Sequence, residues 1–238
     1  MSKRDDQKKN KKARQQKGRI YWILGIVAVA VVVVLVLVLG NRPAQTAGEF
    51  TRITPNPRPQ ADGLSMGDPN APVKIVEFAD FQCPGCKSFF ETVESTMVEK
   101  YIATGEVYYT FSPFSFVDEF PGAKGSESKD AAAAAYCAAD QNKFWEYHDM
   151  LYTNLSGENS GSYTQVRLLA FGEALGLNMT DFKTCVTSNK YQQRVLEANS
   201  YAEKNKVTGT PTFLVNGVTA DTTTLFDTID AAIAKGSN

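Results

Sequence analysis

Residues 20–39, IYWILGIVAVAVVVVLVLVL, run for 20 positions without a charge. No other feature limits the fold so severely, because a helix apolar on every side has no place on the surface of a globular domain. At about 1.5 Å per residue such a helix is roughly 30 Å long, the thickness of a bilayer core. Tyr21 and Trp22 stand at one end, where amphipathic rings favour the membrane interface. A buried core helix is a poor alternative for so uniform a run. A secretory signal normally has a shorter apolar stretch followed by an A-x-A-like site, and only Val38-Leu39-Gly40 weakly resembles one. Residues 20–39 therefore read as a retained transmembrane anchor.

The charges beside this run are lopsided. Residues 1–19 hold nine Lys/Arg against Asp5 and Asp6, a net of +7, while the whole chain is −1, which leaves −8 on residues 20–238. A basic tail can bind nucleic acid, but ahead of an anchor it acts as a topology signal. The positive-inside rule puts residues 1–19 in the cytoplasm and residues 40–238 outside. The expected contact is the membrane, through residues 20–39, and no nucleic acid.

Residues 40–72 contain six prolines: Pro43, Pro55, Pro57, Pro59, Pro69 and Pro72. The composition reads as a tether over 40–61, followed by a folded domain over 62–238. All four cysteines lie in that domain, in a compartment where disulfides persist. The glycosylation sequons Asn154-Leu-Ser and Asn178-Met-Thr are too frequent by chance to carry weight.

Within the domain, Val73–Ala79 is a short β-branched run that suits a central strand covered on both faces. From Pro84 to Tyr101 the period turns helical, with proline at a position where a helix tolerates it. Residues 107–111 form a second strand, so a parallel βαβ unit with a right-handed crossover is predicted. Mostly helical sequence follows: Ser128–Ala139, Phe144–Asn154, Tyr163–Leu175, Met179–Val186 and Lys190–Asn205. Residues 208–215 enter a strand through Pro211, Asn216-Gly217 signals a hairpin turn to 218–220, and Leu225–Ala234 closes with a helix. This is an α/β domain with a helical insertion at about 114–189.

The chemistry sits in ADFQCPGCKSFF, residues 79–90. A thiolate, not a thiol, performs disulfide exchange. Cys83 falls at the first turn of a helix, where free N–H groups and the helix dipole favour an anion. Cys86 lies one turn further in and is the buried partner. Pro84 and Gly85 bring no extra donors. Half of a zinc site is a poor reading, because Cys137 and Cys185 are 48 positions apart and form no second C-x-x-C. A static staple is also poor, since so short a loop restrains the unfolded chain little. Glu77 stands in the apolar strand six residues before Cys83. It is either an exposed strand carboxylate or a buried acid of raised pKa that shuttles the proton of Cys86, and the second reading is preferred. Thr210-Pro211 is either an ordinary trans entry to a strand or a cis bond that sets the Thr210 backbone beside the cysteines for an extended substrate.

GDPNAPVKIVEFADFQCPGC, AAAAAYCAADQNKFWEYHDMLY and VTGTPTFLVNG, taken in this order, resemble the DsbA-like thiol–disulfide oxidoreductases of the thioredoxin superfamily. The resemblance covers about residues 64–236. It implies a thioredoxin-like fold with a helical cap, a redox site at Cys83 and Cys86, substrate contact at Pro84, Gly85, Thr210 and a cis Pro211, and the family's buried acid at Glu77. In the best-known oxidases of the family a histidine stands where this chain has Gly85, which argues against a very strong oxidant. His148, the only histidine, reads as a packing residue of the cap. An even cysteine count and an oxidising compartment favour a structural Cys137–Cys185 disulfide over two free buried thiols, and some relatives carry such a bridge.

The resulting expectation is a membrane-anchored, extracytoplasmic enzyme that introduces disulfides into exported proteins. It needs no cofactor or metal, and a quinone-linked membrane reoxidase, DsbB-like or VKOR-like, is implied by the resemblance. A disulfide isomerase or reductant of the same fold is the second reading. The Pro-rich, polar stretch 40–72 is an unsuitable dimerisation region, which counts against an isomerase. A redox-inactive tethered binding or chaperone module is the third reading, and the intact Cys-Pro-Gly-Cys and Thr-Pro count against it.

Overall fold

In the computed structural model residue 22 and residues 24–34, 46–123 and 125–236 are described. The chain divides into two units, Met1–Gln45 and Thr46–Asn238. In the first, Trp22 and residues 24–34 are helical, and their large apolar side chains are exposed. The basic tail 1–19 and the remainder of the expected anchor 20–39 lie outside the described residues. Among the described residues no helix is long and apolar enough to cross a membrane.

The second unit is organised by a five-stranded sheet in the order β1-β3-β2-β4-β5. Its strands are β1 (Ser65–Met66), β2 (Val73–Ala79), β3 (Val107–Pro113), β4 (Thr212–Val215) and β5 (Val218–Ala220). β2 and β3 are parallel, from Val73 opposite Val107 to Ala79 opposite Pro113. β4 joins β2 antiparallel and turns into β5 through Asn216-Gly217, both at positive φ. The βαβ unit and the hairpin are as the sequence predicts. β1 was not foreseen, because a two-residue strand has no measurable period. β2 is covered most fully at its C-terminal end, where Glu77, Phe78 and Ala79 are all buried.

The helix expected from Pro84 to Tyr101 is broken. It becomes α1 (Pro84–Thr92), α2 (Glu94–Met97) and a π-helical turn at Val98–Ile102. Val93 leaves helical geometry at φ −122°, and Glu94 beyond the break is buried. After β3 come a 3-10 turn (Val117–Glu119), α3 (Glu127–Ala139), α4 (Phe144–Thr153), α5 (Gln165–Ala174) and α6 (Met179–Thr187). Cys137 on α3 and Cys185 on α6 are joined by a disulfide, 5.9 Å between Cα atoms. α7 (Gln192–Lys204) leads back to β4, and α8 (Leu225–Gly236) ends the unit.

Residues 46–61, part of the stretch expected to be a tether, lie as a strap on this unit. Phe50 stacks edge-on against Phe171 of α5 at 5.2 Å, and Ile53 packs on the core. The side-chain amide of Asn154 exchanges two hydrogen bonds with the backbone of Thr51, at 2.7 and 2.9 Å. Arg167 donates to the Ala47 carbonyl at 2.8 Å. Arg58 is buried between Glu94 and Asp149, bonded to both carboxylates, with its guanidinium 4.7 Å from the centre of the Trp145 ring. A proline-rich composition suggests a tether, but these side chains give the backbone a surface to bind. Both sequon asparagines also have structural partners: Asn154 holds the strap, and Asn178 caps α6 by accepting from Thr180 N and Asp181 N.

Candidate active site

β2 ends at Ala79, and Pro84 begins α1 at a position that needs no N–H donor. Between them the chain turns sharply: the Cys83 N–H donates to the Asp80 carbonyl at 3.0 Å. Cys83 is thereby the N-cap of α1, half-buried, while Cys86 is buried on the face that carries Phe89 against Phe213 of β4. The helix start and the strand end place the two sulfurs together, both as free thiols.

The two thiols have opposite electrostatics. Cys83 is lowered to about 6, first by the hydrogen bond from the Cys86 thiol and then by Thr210 and the N–H groups of Cys86 and Gly85, against the opposing effect of partial burial. The Thr210 Oγ1 itself is buried and makes no hydrogen bond. Cys86 is raised, chiefly by burial and further by the Cys83 thiolate and the charge of Glu77. The contrast equips Cys83 to react as a thiolate while Cys86 keeps its proton.

The Thr210–Pro211 bond is cis. The Thr210 carbonyl accepts from the Cys83 thiol at 3.2 Å. A Cβ built at Gly85 would lie 3.4 Å from Pro211 Cδ, 3.5 Å from the Thr210 oxygen and 3.6 Å from the Cys83 sulfur, all ordinary contacts. Pro84, Gly85, Thr210 and Pro211 therefore enclose Cys83 from two chain segments 127 residues apart.

Glu77 is 2 % exposed, and burial raises it to about 8, against the opposing hydrogen bond from the Tyr109 hydroxyl. Tyr109 stands on the neighbouring β3 and is itself fully buried. Nothing in the local sequence marks it as the partner of Glu77, because the pairing depends on the register of two parallel strands. Lys87, the residue after the pair, was also missed. Its Nζ donates to the Tyr152 carbonyl at 2.8 Å and ties α1 to the end of α4.

His148 is buried in an aromatic cage. Tyr152, Phe90 and Phe81 lie 4.9, 5.6 and 5.9 Å away, and its Nδ1 is 3.0 Å from Asp149 Oδ1. The cap thus packs directly against α1 and Phe81 despite its distance in sequence. Glu94, His148 and Asp149 bring potential metal-ligand atoms within 4.8 Å of one another. The Arg58 guanidinium already pairs with both carboxylates there. Burial works to raise Asp149, but His148, Arg58 and the Asn56 N–H together hold it below the usual carboxylate range.

Comparison with known proteins agrees with this geometry. The family described as thioredoxin matches residues 60–235. A probable disulfide bond formation protein D of Bacillus anthracis is 34% identical over 173 residues, covering 72% of this chain and 76% of the relative. A putative protein-disulfide oxidoreductase of Rickettsia felis is 29% identical over 176 residues, covering 72% of this chain and 59% of the relative. The crystal structure of oxidised BdbD from Bacillus subtilis shares the fold at a TM-score of 0.63 and 22% identity, covering 78% of this chain and 98% of that one. The chain belongs to the thioredoxin family and, within it, to the DsbA-like thiol–disulfide oxidoreductases.

Proposed function

We propose that Cys83 and Cys86 are the redox couple of an enzyme that introduces disulfides into exported proteins. The observation that carries this is the contrast between the half-buried Cys83, lowered to about 6, and the buried Cys86, pushed up beside it. In the working cycle the two are joined as a disulfide. A substrate thiolate attacks the Cys83 sulfur, the Cys83–Cys86 bond breaks, and Cys86 leaves and takes a proton. Glu77, protonated up to about 8, is the nearby acid that supplies it. A second substrate thiolate then attacks the substrate sulfur of the mixed disulfide. Cys83 leaves as a stable thiolate, and two electrons have passed from the substrate to the pair. The Thr210–Pro211 backbone and the Pro84-Gly85 turn hold the extended substrate. A quinone-linked membrane protein, DsbB-like or VKOR-like, takes the electrons on.

The extracytoplasmic placement is supported by the charge-free run 20–39 behind a basic tail and by a disulfide elsewhere in the domain. The deciding measurement is the equilibrium of the full-length protein with a glutathione buffer, followed by Cys83 alkylation. A potential near −120 to about −180 mV supports thiol oxidation, and one near about −270 mV would make the pair an electron donor and end the oxidase reading. Cys83→Ser is expected to abolish disulfide formation in a reduced substrate protein.

A further inference from the structure

The three residues ahead of Cys83 are fastened in an unusual way. Asp80 is 2 % exposed, burial raises it to about 7 against the hydrogen bonds it accepts, and among the described residues no cation pairs with it. Oδ1 accepts from Gln82 N at 2.8 Å, Oδ2 from Val117 N at 2.8 Å, and the Ser128 hydroxyl bridges both oxygens at 2.7 and 2.9 Å. Gln82 is fully buried. Its Nε2 donates to Asp118 at 3.1 Å and to Ser128 at 2.8 Å, and its Oε1 accepts from Asn159 N at 2.6 Å. Between them, the Phe81 carbonyl accepts from the Tyr163 hydroxyl at 2.8 Å. Residues 80–82 thus join the 3-10 turn, the start of α3 and the chain between α4 and α5 to one end of β2.

We propose that Asp80 and Gln82 are positioning residues for the thiol–disulfide exchange, fixing the Cys83 turn to the helical cap so that the donors around the Cys83 sulfur stay aligned. The inference rests on the reading of Cys83 and Cys86 as the redox couple. Two acceptor oxygens are required at position 80, because each faces a backbone N–H. An asparagine of the same shape would turn an NH₂ group against one of these donors. The link to chemistry is short: the Asp80 carbonyl receives the Cys83 N–H, and the N–H groups of Gly85 and Cys86 follow directly along the turn. A loosened turn weakens their hold on the Cys83 thiolate, disfavours the reduced pair and makes the couple less oxidising.

The test uses the full-length chain in detergent. Asp80→Asn and Gln82→Ala are compared with Tyr147→Phe, which loses a cap hydrogen bond to the Leu168 carbonyl that is none of those made by residues 80–82. Two quantities are read: the pH midpoint of Cys83 alkylation and the equilibrium constant against glutathione. The expected result is a raised midpoint and about a tenfold weaker oxidant for Asp80→Asn, roughly 30 mV, a smaller shift of the same sign for Gln82→Ala, and no shift for Tyr147→Phe. Folded variants that lose thermal stability but keep both quantities within twofold of wild type would reduce the two residues to structural staples and overturn the proposal. Where neither variant folds, Ser128→Ala decides in the same way, because it removes one donor to Asp80 and one acceptor of Gln82 and leaves the backbone bonds intact. A wild-type chain that never equilibrates with glutathione would instead sink the redox reading itself.

Discussion

Glu77 shows how a single side chain links stability to chemistry. Burial raises it from an ordinary carboxylate value to about 8, so between these values the folded chain keeps a proton that the unfolded chain has released. Stability is therefore lost as pH rises through that window. At pH 7 the cost is on the order of 3 kcal/mol. Glu77→Gln is expected to raise the denaturant midpoint at pH 8 and to change it little at pH 4. An equal gain at both pH values would mean that Glu77 does not hold this proton. The position was readable from a carboxylate set in an apolar strand, whereas Tyr109 was not, because its role depends on which strand lies alongside.

Among the elements, the clearest signals were local. Proline at the start of α1, the Asn216-Gly217 turn and the helical periods of the cap are each written in neighbouring residues. The break at Val93 was not legible, because Glu94 turns inward to meet Arg58, 36 residues earlier. The bridge between α3 and α6 closes a separation of 48 residues. Its removal in the double variant Cys137→Ala/Cys185→Ala is expected to cost about 2–4 kcal/mol. Denaturant unfolding measures that loss, and the alkylation of Cys83 should keep its pH midpoint if the bridge serves only the cap.

For the whole molecule, the strap changes where the working domain begins. Arg58 is the counter-charge of two buried carboxylates, and removing one partner of a buried ion pair costs about 3–5 kcal/mol. Arg58→Met is expected to destabilise the protein by that amount, measured by urea unfolding. A loss below about 1 kcal/mol would show that the strap only rests on the surface. A fragment starting at residue 62 would carry the same defect, so composition alone places the boundary too late. The strap's partners, Arg167, Asn154 and Asp149, come far later in the chain, and no local pattern announces them.

The strap also sets an order of events in time. Its hydrogen bonds join residues 91, 103 and 120 positions apart. A chain grows from its N-terminus at about 5–20 residues per second, so Arg167 follows Ala47 by roughly 6–24 s. The segment is the first of this unit to be synthesised and among the last to find its place. Until α5 exists, Phe50 has no ring to meet, and Glu94 is made while Asp149, the other acid that Arg58 joins, is still to come.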